Sequence, residues 1–369
     1  MKILYLTDQM YHHGGIERIL SQKINYLIDF YKHDVYLITT EQKNNKSVYN
    51  LDNRLNLIDL SINYNREISY FHPKNLIKTI AHFFKLNKEI NKIQPDLIIS
   101  VSTSPDQYFL PFIHKRIPKL KEFHSSRFFY NKNKNWKQKL DKAFEYYDNL
   151  IVLNPDEKEY YSNINISIIP NFTDFESFEI KSIKKEKTII AAGRIAPVKQ
   201  FDELIKIWNL ISNDFPEWKI KIFGNGEPEL IKSLNNLIVL LNLKNSVFIL
   251  PATPDIELEM QKASIYAMMS ETECFPMVLL EAQASRLPIV SYNCPNGPRN
   301  IINDNFDGFL IENYNQQLFA QKLSVLINSE DLLTKMQENA AINVNKFKKD
   351  IVMKQWNDLL VNVTLKNNN

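Results

Sequence analysis

The sequence predicts an α/β protein built from two Rossmann-like domains, each with a parallel sheet that is covered by helices. Three observations support this fold class. Short apolar runs alternate with amphipathic helical stretches along the chain, as in repeated βαβ units. The alternation stops at a lysine-rich polar segment, residues 181–187, and then starts again. The 369 residues suffice for two domains of ordinary size, and a hydrophobic fraction of 44% allows each domain a full core.

The N-terminal half contains six apolar runs that have the length of strands. Runs rich in Ile, Leu and Val are typical of strands that are buried on both faces of a parallel sheet. The predicted strands are residues 3–7, 34–40, 55–60, 97–101, 150–153 and 167–169. Stretches with apolar residues at helical spacing lie between them. The predicted helices are residues 16–30, 75–93 and 136–147.

The C-terminal half repeats the alternation and predicts a second parallel sheet. Its predicted strands are residues 188–192, 219–223, 247–250, 265–269, 289–292 and 308–311. Its predicted helices are residues 201–211, 230–240 and 277–286, and further helices close the chain. We therefore predict an N-terminal domain at 1–173, a linker at 174–187, a C-terminal domain at 188–345 and a last helix at 346–369 that can pack back on the N-terminal domain. Because ligands of open parallel sheets bind beyond the carboxyl ends of the strands, the expected site is a cleft between two facing domains.

Composition argues against several classes of protein. The chain has no run of about 18 apolar residues that would span a membrane. Its N-terminus has the character of a buried strand rather than of a signal peptide, so the expected location is the cytoplasm. The two cysteines, Cys274 and Cys294, make neither a disulfide framework nor a metal cluster.

The net charge of +3 is unevenly distributed. Residues 1–173 carry 24 Lys and Arg against 18 Asp and Glu, a balance of +6, and the remaining residues carry 21 against 24, a balance of −3. The basic half can face an anionic membrane or a phosphorylated substrate, or it can be an ordinary solvated surface. The candidate membrane contact is residues 74–92, with Phe83 and Phe84 among lysines; a solvated helix with a core face is the alternative. Nucleic acid is not an expected partner, because the basic residues form no concentrated stripe.

The chain has only seven glycines, so each one is a candidate for a position where the backbone needs glycine. Gly14 and Gly15 lie between the first predicted strand and the first helix. There they allow close approach of a ligand, and the helix N-terminus offers N–H groups to an anion, although a plain tight turn explains the pair equally well. Gly224 and Gly226 follow a strand as well, and a simple turn is at least as good an explanation there.

Two cations follow the first strand of the second sheet. Arg194 comes directly after Gly193 at the predicted strand end, and Lys199 is placed at the start of the next helix. Both can therefore point into the cleft at one diphosphate. Arginine binds phosphate oxygens as a fork, and lysine acts as a point charge. Solvated surface cations are the alternative for the pair taken alone.

Two glutamates eight residues apart are the strongest signal in the sequence. Glu273 lies in a loop before a helix that Pro276 can begin, and Glu281 lies inside that helix in an apolar run. A buried carboxylate is costly unless it has partners, and ribose hydroxyls are suitable partners. The N–H groups around Met277 and Val278 can bind a phosphate. A helix cap explains Glu273 alone equally well, but the two glutamates together favour a ligand site.

His124 follows the stretch at 117–123, and a lone histidine of this kind is more often structural than catalytic. Neither a Ser/His/Asp nor a Cys/His set lies in a motif context, so a hydrolase has little support.

Taken in order, these motifs resemble those of the family-4 retaining glycosyltransferases, which have the GT-B fold. The resemblance covers nearly the whole chain and includes all seven glycines. The matching segments are Gly14–Arg18, Pro170–Asn171, Gly193–Lys199, Gly224–Glu229, Glu273–Glu281 and Asp307–Leu310. Residues 293–302 look like the subset that builds capsules, O-antigens and lipid-linked glycans. The chain departs from the family at Cys274 and Arg286, where glycine is usual, and Cys274 could narrow the pocket for the donor sugar.

The resemblance implies a role for each candidate residue. Arg194 and Lys199 would hold the donor diphosphate and stabilise its charge as it leaves. Glu281 would bind the ribose, Glu273 would hold the donor sugar, and His124 matches the family's histidine near that sugar. The implied donor-binding set also includes Gly14, Gly15, Gly193, Gly224, Ala252, Cys274, Phe275, Pro276, Met277 and Val278.

The implied activity is transfer of a hexose or N-acetylhexosamine, with retention, from a nucleotide diphosphate sugar, most readily a UDP-sugar. The expected acceptor is a glycan or a polyprenyl-diphosphate-linked glycan in surface polysaccharide synthesis, with possible contact at the inner face of the cell membrane. No metal is expected, because the chain has no Asp-x-Asp motif to bridge a metal and a diphosphate. The alternatives are a GT-B nucleotide-sugar epimerase or phosphorylase and a non-catalytic nucleotide-sugar-binding subunit.

Overall fold

The computed structural model describes residues 1–128, 140–161, 165–175 and 185–367. They form two compact units, Met1–Pro170 with Asp350–Asn369 and Asn171–Lys349. Each unit contains one parallel sheet with helices, so the predicted fold class of two Rossmann-like domains is confirmed. Most of the predicted linker lies outside the described residues.

The sheet of the first unit has seven strands in the order β3-β2-β1-β4-β5-β6-β7, and every pair is parallel. The strands are β1 (Lys2–Thr7), β2 (Asp34–Thr39), β3 (Asn56–Asp59), β4 (Leu97–Ser100), β5 (Lys119–Glu122), β6 (Asn149–Val152) and β7 (Ile166–Ile168). The strand order reverses between β1 and β4. In open parallel sheets, this is the point at which the carboxyl ends leave a crevice for a ligand.

Four α-helices connect these strands in the described part of the first unit. They are α1 (Gly15–Asp29), α2 (Pro73–Ile93), α3 (Asp106–Phe109) and α4 (Pro155–Lys158). The longest, α2, begins where Pro73 occupies the first turn and the His72 side chain accepts a hydrogen bond from the Lys74 N–H at 3.3 Å. One face of α2 packs Leu86 and Ile90 into the core, while its opposite face remains in solvent.

The predicted helix at 136–147 is wrong in its described part. Residues Asp141–Tyr146 form a 3-10 helix instead, and residues 129–139 lie outside the described residues. A 3-10 helix has about three residues per turn, so side chains three positions apart lie on the same side of it. Phe144 of this helix and Tyr147 directly after it are both buried in the core, and the Tyr147 hydroxyl donates to the Gln107 carbonyl at 2.9 Å.

The sheet of the second unit has six parallel strands in the order β10-β9-β8-β11-β12-β13. The strands are β8 (Thr188–Ala192), β9 (Lys219–Phe223), β10 (Val247–Leu250), β11 (Ile265–Met268), β12 (Ile289–Tyr292) and β13 (Gly308–Ile311). The helices are α5 (Phe201–Asn209), α6 (Pro228–Leu240), α7 (Ile256–Lys262), α8 (Met277–Ala284), α9 (Gln316–Asn328) and α10 (Glu330–Asn343). Trp208 of α5 lies at the centre of the core, fully buried, and its indole N–H donates to the Ser246 hydroxyl at 3.1 Å.

The chain ends in α11 (Lys349–Asn367), and its residues from Asp350 onward belong to the first unit. Trp356 of this helix is buried in that unit. Among the described residues, helices are too short or too polar to cross a bilayer.

Candidate functional site

Five turns meet the carboxyl edge of the six-stranded sheet in the second unit. They follow β8, β9, β10, β11 and β12, because the carboxyl ends of parallel strands lie at the same edge. Most of the predicted donor-binding residues lie in these turns. The structure thus groups segments that lie between Gly193 and Gly297 in the sequence.

The turn after β8 has a backbone that only glycine adopts readily. Gly193 has a φ of +155°, and its N–H donates to the Phe223 carbonyl at 3.0 Å. Arg194 follows it with an exposed side chain. The strand itself ends at Ala192, two residues before Arg194, so the prediction that Arg194 ends the strand is corrected to a place in the turn.

Lys199 and Glu273 form the central contact of this edge. The Lys199 ammonium lies 2.5 Å from the Glu273 carboxylate, with 23% and 14% of the two side chains exposed. Lys199 does not begin the next helix, as predicted, but ends a 3-10 turn, Pro197–Lys199. Gln200 then takes a left-handed conformation before α5 starts.

The turn after β9 packs on the turn after β8. An added Cβ at Gly224 would lie 2.0 Å from the Gly193 carbonyl oxygen, and one at Gly226 would lie 2.2 Å from the Ile195 carbonyl oxygen. The Ile195 N–H donates to the Asn225 carbonyl at 2.8 Å and completes the contact. Both glycines are therefore required by the close approach of two backbones. Contact of Gly224 with a donor stays a prediction.

Asn225 also fixes the turn after β10. Its side-chain oxygen accepts a hydrogen bond from the Ala252 N–H at 3.1 Å, and Ala252 itself is exposed. The three turns after β8, β9 and β10 are thereby linked by backbone and side-chain hydrogen bonds. This places Ala252 at the same edge as Arg194, as the predicted set requires.

The segment after β11 carries both predicted glutamates. Cys274, Phe275 and Pro276 are buried, whereas Met277 and Val278 at the start of α8 are half-buried. The helix begins directly after Pro276, so its first N–H groups face the sheet edge. The hydroxyls of Ser270 and Thr272 are buried without a hydrogen-bond partner beside this turn, which leaves them available to a ligand.

Glu281 lies inside α8 and is 4% exposed, as expected for a carboxylate within an apolar run. The negative charge of Glu281 interacts with the phenol of Tyr266 on β11, a residue that the sequence did not single out. Burial and the charges of Glu281 and Glu273 raise the pKa of the Tyr266 phenol well above its ordinary value. The Tyr266 hydroxyl donates to the Ala192 carbonyl at 3.1 Å, so the phenol supports the turn that carries Arg194. Its only sequence signal is an aromatic hydroxyl in a fully buried strand, which requires a partner.

The turn after β12 closes the site on its other side. A Cβ at Gly297 would lie 2.6 Å from the Glu273 Cβ and 3.0 Å from the Pro276 Cδ, so this turn packs directly on the Glu273 segment. Cys294 at its start is buried, and burial together with the Glu273 charge raises the pKa of its thiol to about 12. The thiol is therefore protonated at neutral pH and acts as a small apolar group.

Gly14, Gly15 and His124 belong to the first unit. Gly14 precedes α1 in extended conformation, and a Cβ at Gly15 would meet no atom within 4 Å. The Gly15 backbone therefore has room beside it. His124 follows β5, and its Nε2 lies 2.9 Å from the Glu122 carboxylate.

The first unit has its own polar cluster at the carboxyl edge of β1, β2 and β4, which the sequence did not indicate. The Arg66 guanidinium lies 2.7 Å from the Glu41 carboxylate and 3.3 Å from the Asp8 carboxylate. The Ser102 hydroxyl lies between Asp8 and Asp106, at 2.7 and 2.8 Å. Burial and the Asp8 charge raise the pKa of Asp106 to about 7.

These features define a protein class. Two parallel-sheet units of this kind, with a Gly-Arg turn and a helix N-terminus at the edge of the second sheet, make up the GT-B architecture. Residues 172–342 match the family model described as glycosyl transferases group 1. The second unit, which contains these residues, therefore carries the domain of this glycosyltransferase family.

Three known proteins illustrate the similarity. An uncharacterized glycosyltransferase of Haemophilus influenzae is 27% identical over 356 residues, covering 94% of this chain and 96% of the relative. The GalNAc-alpha-(1->4)-GalNAc-alpha-(1->3)-diNAcBac-PP-undecaprenol alpha-1,4-N-acetyl-D-galactosaminyltransferase of Campylobacter jejuni is 26% identical over 370 residues, covering 98% and 99%. The crystal structure of a TarM variant of S. aureus with fondaparinux, alpha-GlcNAc-glycerol and UDP superposes with a TM-score of 0.75, at 17% identity, covering 98% and 99%.

Proposed function

We propose that the chain transfers a hexose or N-acetylhexosamine from a UDP-sugar to a glycan acceptor, with retention at the anomeric carbon. The observation that carries this proposal is the Lys199–Glu273 contact at the sheet edge beside the start of α8. A cation and a carboxylate side by side match the two ends of such a donor, since the cation suits the diphosphate and the carboxylate suits the sugar hydroxyls.

The donor would extend along the turns of the second unit. Arg194 and Lys199 would contact the diphosphate, and the first N–H groups of α8 at Met277 and Val278 would support its second phosphate. Glu281 would accept hydrogen bonds from the ribose hydroxyls, and the base would lie beside Ala252. In this assignment, the cation pair and the helix N-terminus bind the same anionic group.

The proposed reaction keeps the new bond on the face from which the diphosphate leaves. The bond between the anomeric carbon and the phosphate oxygen breaks, the acceptor oxygen bonds to that carbon, and the departing phosphate oxygen takes the acceptor proton. Arg194 and Lys199 would stabilise the negative charge that develops on the diphosphate. The α linkages in the names of the two related proteins support retention, because nucleotide diphosphate sugars of this type are themselves α-linked.

A panel of UDP- and GDP-sugars tests the donor assignment. We expect a thermal shift with UDP and slow release of UDP from one UDP-sugar without any acceptor, at a rate unchanged by EDTA. GDP-sugars should give neither effect. Stabilisation by UDP without any turnover would instead indicate a binding subunit, and release of a free rearranged sugar would indicate an epimerase.

Replacing Glu281 with alanine should weaken UDP binding by roughly 1–3 kcal/mol, because the variant loses a buried acceptor for the ribose hydroxyls. Titration calorimetry with UDP measures the change. Glu203→Ala is a matched control: Glu203 is also a buried glutamate of the second unit, and it contacts Gln316 at 2.8 Å. Unchanged UDP affinity in Glu281→Ala would remove the ribose role.

We propose that the acceptor is a glycan on a polyprenyl diphosphate carrier, as the name of the Campylobacter jejuni relative describes for that protein.

The exposed face of α2 supports a location at a membrane surface. Ile77, Ile80 and Phe84 are 69%, 60% and 65% exposed at helical spacing, so they form an apolar stripe in solvent. The surrounding exposed cations are Lys74, Lys85, Lys88 and Lys92.

This apolar stripe with flanking lysines fits an anionic bilayer at the cytoplasmic face, because apolar side chains enter the interface while lysines meet lipid phosphates. Co-sedimentation with phosphatidylglycerol vesicles at low salt should therefore capture the protein, and phosphatidylcholine vesicles should not. Ile77→Ser with Phe84→Ser should lower the bound fraction severalfold. The control is Leu240→Ser, which removes an exposed leucine from α6 of the second unit. Equal binding of all variants would exclude this surface.

A further inference from the structure

The turn after β13 also lies at the carboxyl edge of the sheet in the second unit. It consists of residues 312–315 and leads into α9, where the Asn315 side chain caps the helix by accepting a hydrogen bond from the Leu318 N–H at 3.0 Å. Tyr314 lies directly before this cap. It is 56% exposed, so burial in the core does not explain a tyrosine at this position.

The backbone of Tyr314 is left-handed, with a φ of +68°. This conformation is unfavourable for residues that have a Cβ, and asparagine tolerates it better than most others. The other described non-glycine residues of the second unit with a left-handed backbone are Gln200, Asn242, Arg286, Asn296 and Asn305. Tyr314 therefore occupies a position that glycine or asparagine would fit with less strain.

The Tyr314 hydroxyl contacts Gln200, a second residue with a left-handed backbone. The Gln200 Nε2 donates to this hydroxyl at 3.1 Å, across 114 positions of the sequence. Gln200 has a φ of +49°. Its Oε1 is buried without a hydrogen-bond partner among the described residues, which is a further cost in free energy. Two strained residues and one unpaired oxygen thus meet in a single contact.

This strained contact lies beside a residue of the proposed donor site. Backbone strain persists where the surrounding structure imposes it, and it is concentrated at functional sites. Lys199 directly precedes Gln200, and its ammonium contacts Glu273. The 3-10 turn that ends at Lys199 is also held at its middle, because the Val198 carbonyl accepts a hydrogen bond from the Glu271 N–H at 2.8 Å. The turn is therefore anchored by the segment after β11 and by the turn after β13.

We propose that Tyr314 is a positioning residue for Lys199, and that it acts by holding Gln200 at the end of the 3-10 turn. The role of Lys199 towards a diphosphate rests on the proposed function, whereas its contact with Glu273 does not. Lysine has a long flexible side chain, so its ammonium is placed accurately only where the backbone beneath it is fixed. The left-handed tyrosine is thus explained by the position of a cation and not by the stability of the fold.

Chemical labelling of lysines tests this role without any ligand. Acetic anhydride at limiting concentration acetylates free amines, and peptide mass spectrometry gives the labelled fraction of each lysine. The Lys199 side chain is 23% exposed, so it should react more slowly than Lys187, whose side chain is 62% exposed. Tyr314→Phe and Tyr314→Asn should each raise the labelling of Lys199 severalfold and leave that of Lys187 unchanged. Wild-type labelling of Lys199 in both folded variants overturns the proposal.

A reciprocal pair of variants separates positioning from stability. Tyr314→Asn should keep the wild-type melting temperature, because asparagine tolerates the left-handed backbone, and should slow UDP release from the donor selected in the panel. Asn242→Tyr is the matched control, since it places a tyrosine at another exposed left-handed position, with a φ of +58°. It should lower the melting temperature and keep wild-type turnover. A lower melting temperature in Tyr314→Asn would assign the tyrosine to the stability of the fold and overturn the proposal.

A double-mutant cycle tests whether the effect of Tyr314 depends on Lys199. Tyr314→Phe should lower the kcat of UDP release about fivefold, as for the loss of one hydrogen bond. In the Lys199→Ala background the same change should have no effect, because the positioned group is absent. An equal loss in both backgrounds would show a general effect on the fold and overturn the proposal. If the wild type releases no UDP from any UDP-sugar, the proposed function fails, while lysine labelling still decides the role of Tyr314.

Discussion

Replacing Arg194 and Lys199 together with alanine is expected to lower turnover at least about 100-fold. Both residues belong to the turn after β8, and Lys199 is held at the sheet edge by Glu273 at 2.5 Å. In a front-face transfer the protein stabilises mainly the charge on the departing diphosphate, so loss of both cations removes the largest catalytic contribution. Steady-state release of UDP from the donor identified in the panel measures the effect.

The control must remove two positive charges from the same unit without changing the sheet edge. Lys187→Ala with Lys206→Ala does so, because Lys187 pairs with Glu217 at 3.1 Å and Lys206 pairs with Asp202 and Glu203 at 2.8 and 3.1 Å. These contacts involve none of the turn residues. The control should keep turnover within about twofold, since exposed ion pairs contribute little. Near-wild-type transfer by the Arg194 and Lys199 double variant would exclude the proposed roles of both cations.

The single variants separate the two cations. Lys199→Ala leaves the Glu273 carboxylate without its ion pair, so it should affect both diphosphate binding and the donor sugar. Arg194 is exposed, and its removal should reduce only the diphosphate contribution. A larger loss of kcat in Lys199→Ala than in Arg194→Ala is therefore expected. The reverse order would place the developing charge closer to Arg194.

Most of the fold could be predicted because the strands are apolar runs of the right length. Every strand except β5 overlaps a predicted one, within one or two residues at each end. The prediction missed β5 because Lys119, Lys121 and Glu122 give it a polar pattern, and their buried partners are distant in the sequence. Lys23 is 99 residues from Glu122, and neither residue indicates the other. Tertiary ion pairs of this kind are outside the reach of local patterns.

The site was predictable in its parts but not in its contacts. Glu273 and Glu281 stand out because an acidic pair interrupts an apolar run, and their setting before and within α8 agrees with the structure. Lys199 lies 74 residues from Glu273, and only the fold of the second unit brings the two together. Tyr266 remained unnoticed, since a tyrosine in a buried strand has the pattern of any core residue.

Replacing Gly226 with valine should destabilise the second unit by about 3 kcal/mol, at the upper end of the usual range for overpacking. A Cβ at this position would lie 2.2 Å from the Ile195 carbonyl oxygen and 2.7 Å from the Ile195 Cβ. Backbone atoms cannot move aside as a flexible side chain can, so the whole turn of Gly193 and Arg194 would have to shift. Thermal unfolding measures the loss of stability, and UDP release measures the loss of the turn.

Gly15→Val is the matched control. It also shows whether glycine at position 15 serves turnover or only the turn before α1. A Cβ at Gly15 meets no atom within 4 Å, so the valine should cost less than about 1 kcal/mol in the first turn of α1. If Gly15→Val is stable but inactive, the space beside Gly15 is needed for turnover. If it is stable and active, Gly15 serves only the turn before α1.

A Gly226→Val variant with wild-type stability would contradict the first prediction. It would show that the turns after β8 and β9 are not packed as tightly as the distances to Ile195 require. The position of Arg194 would then need another support.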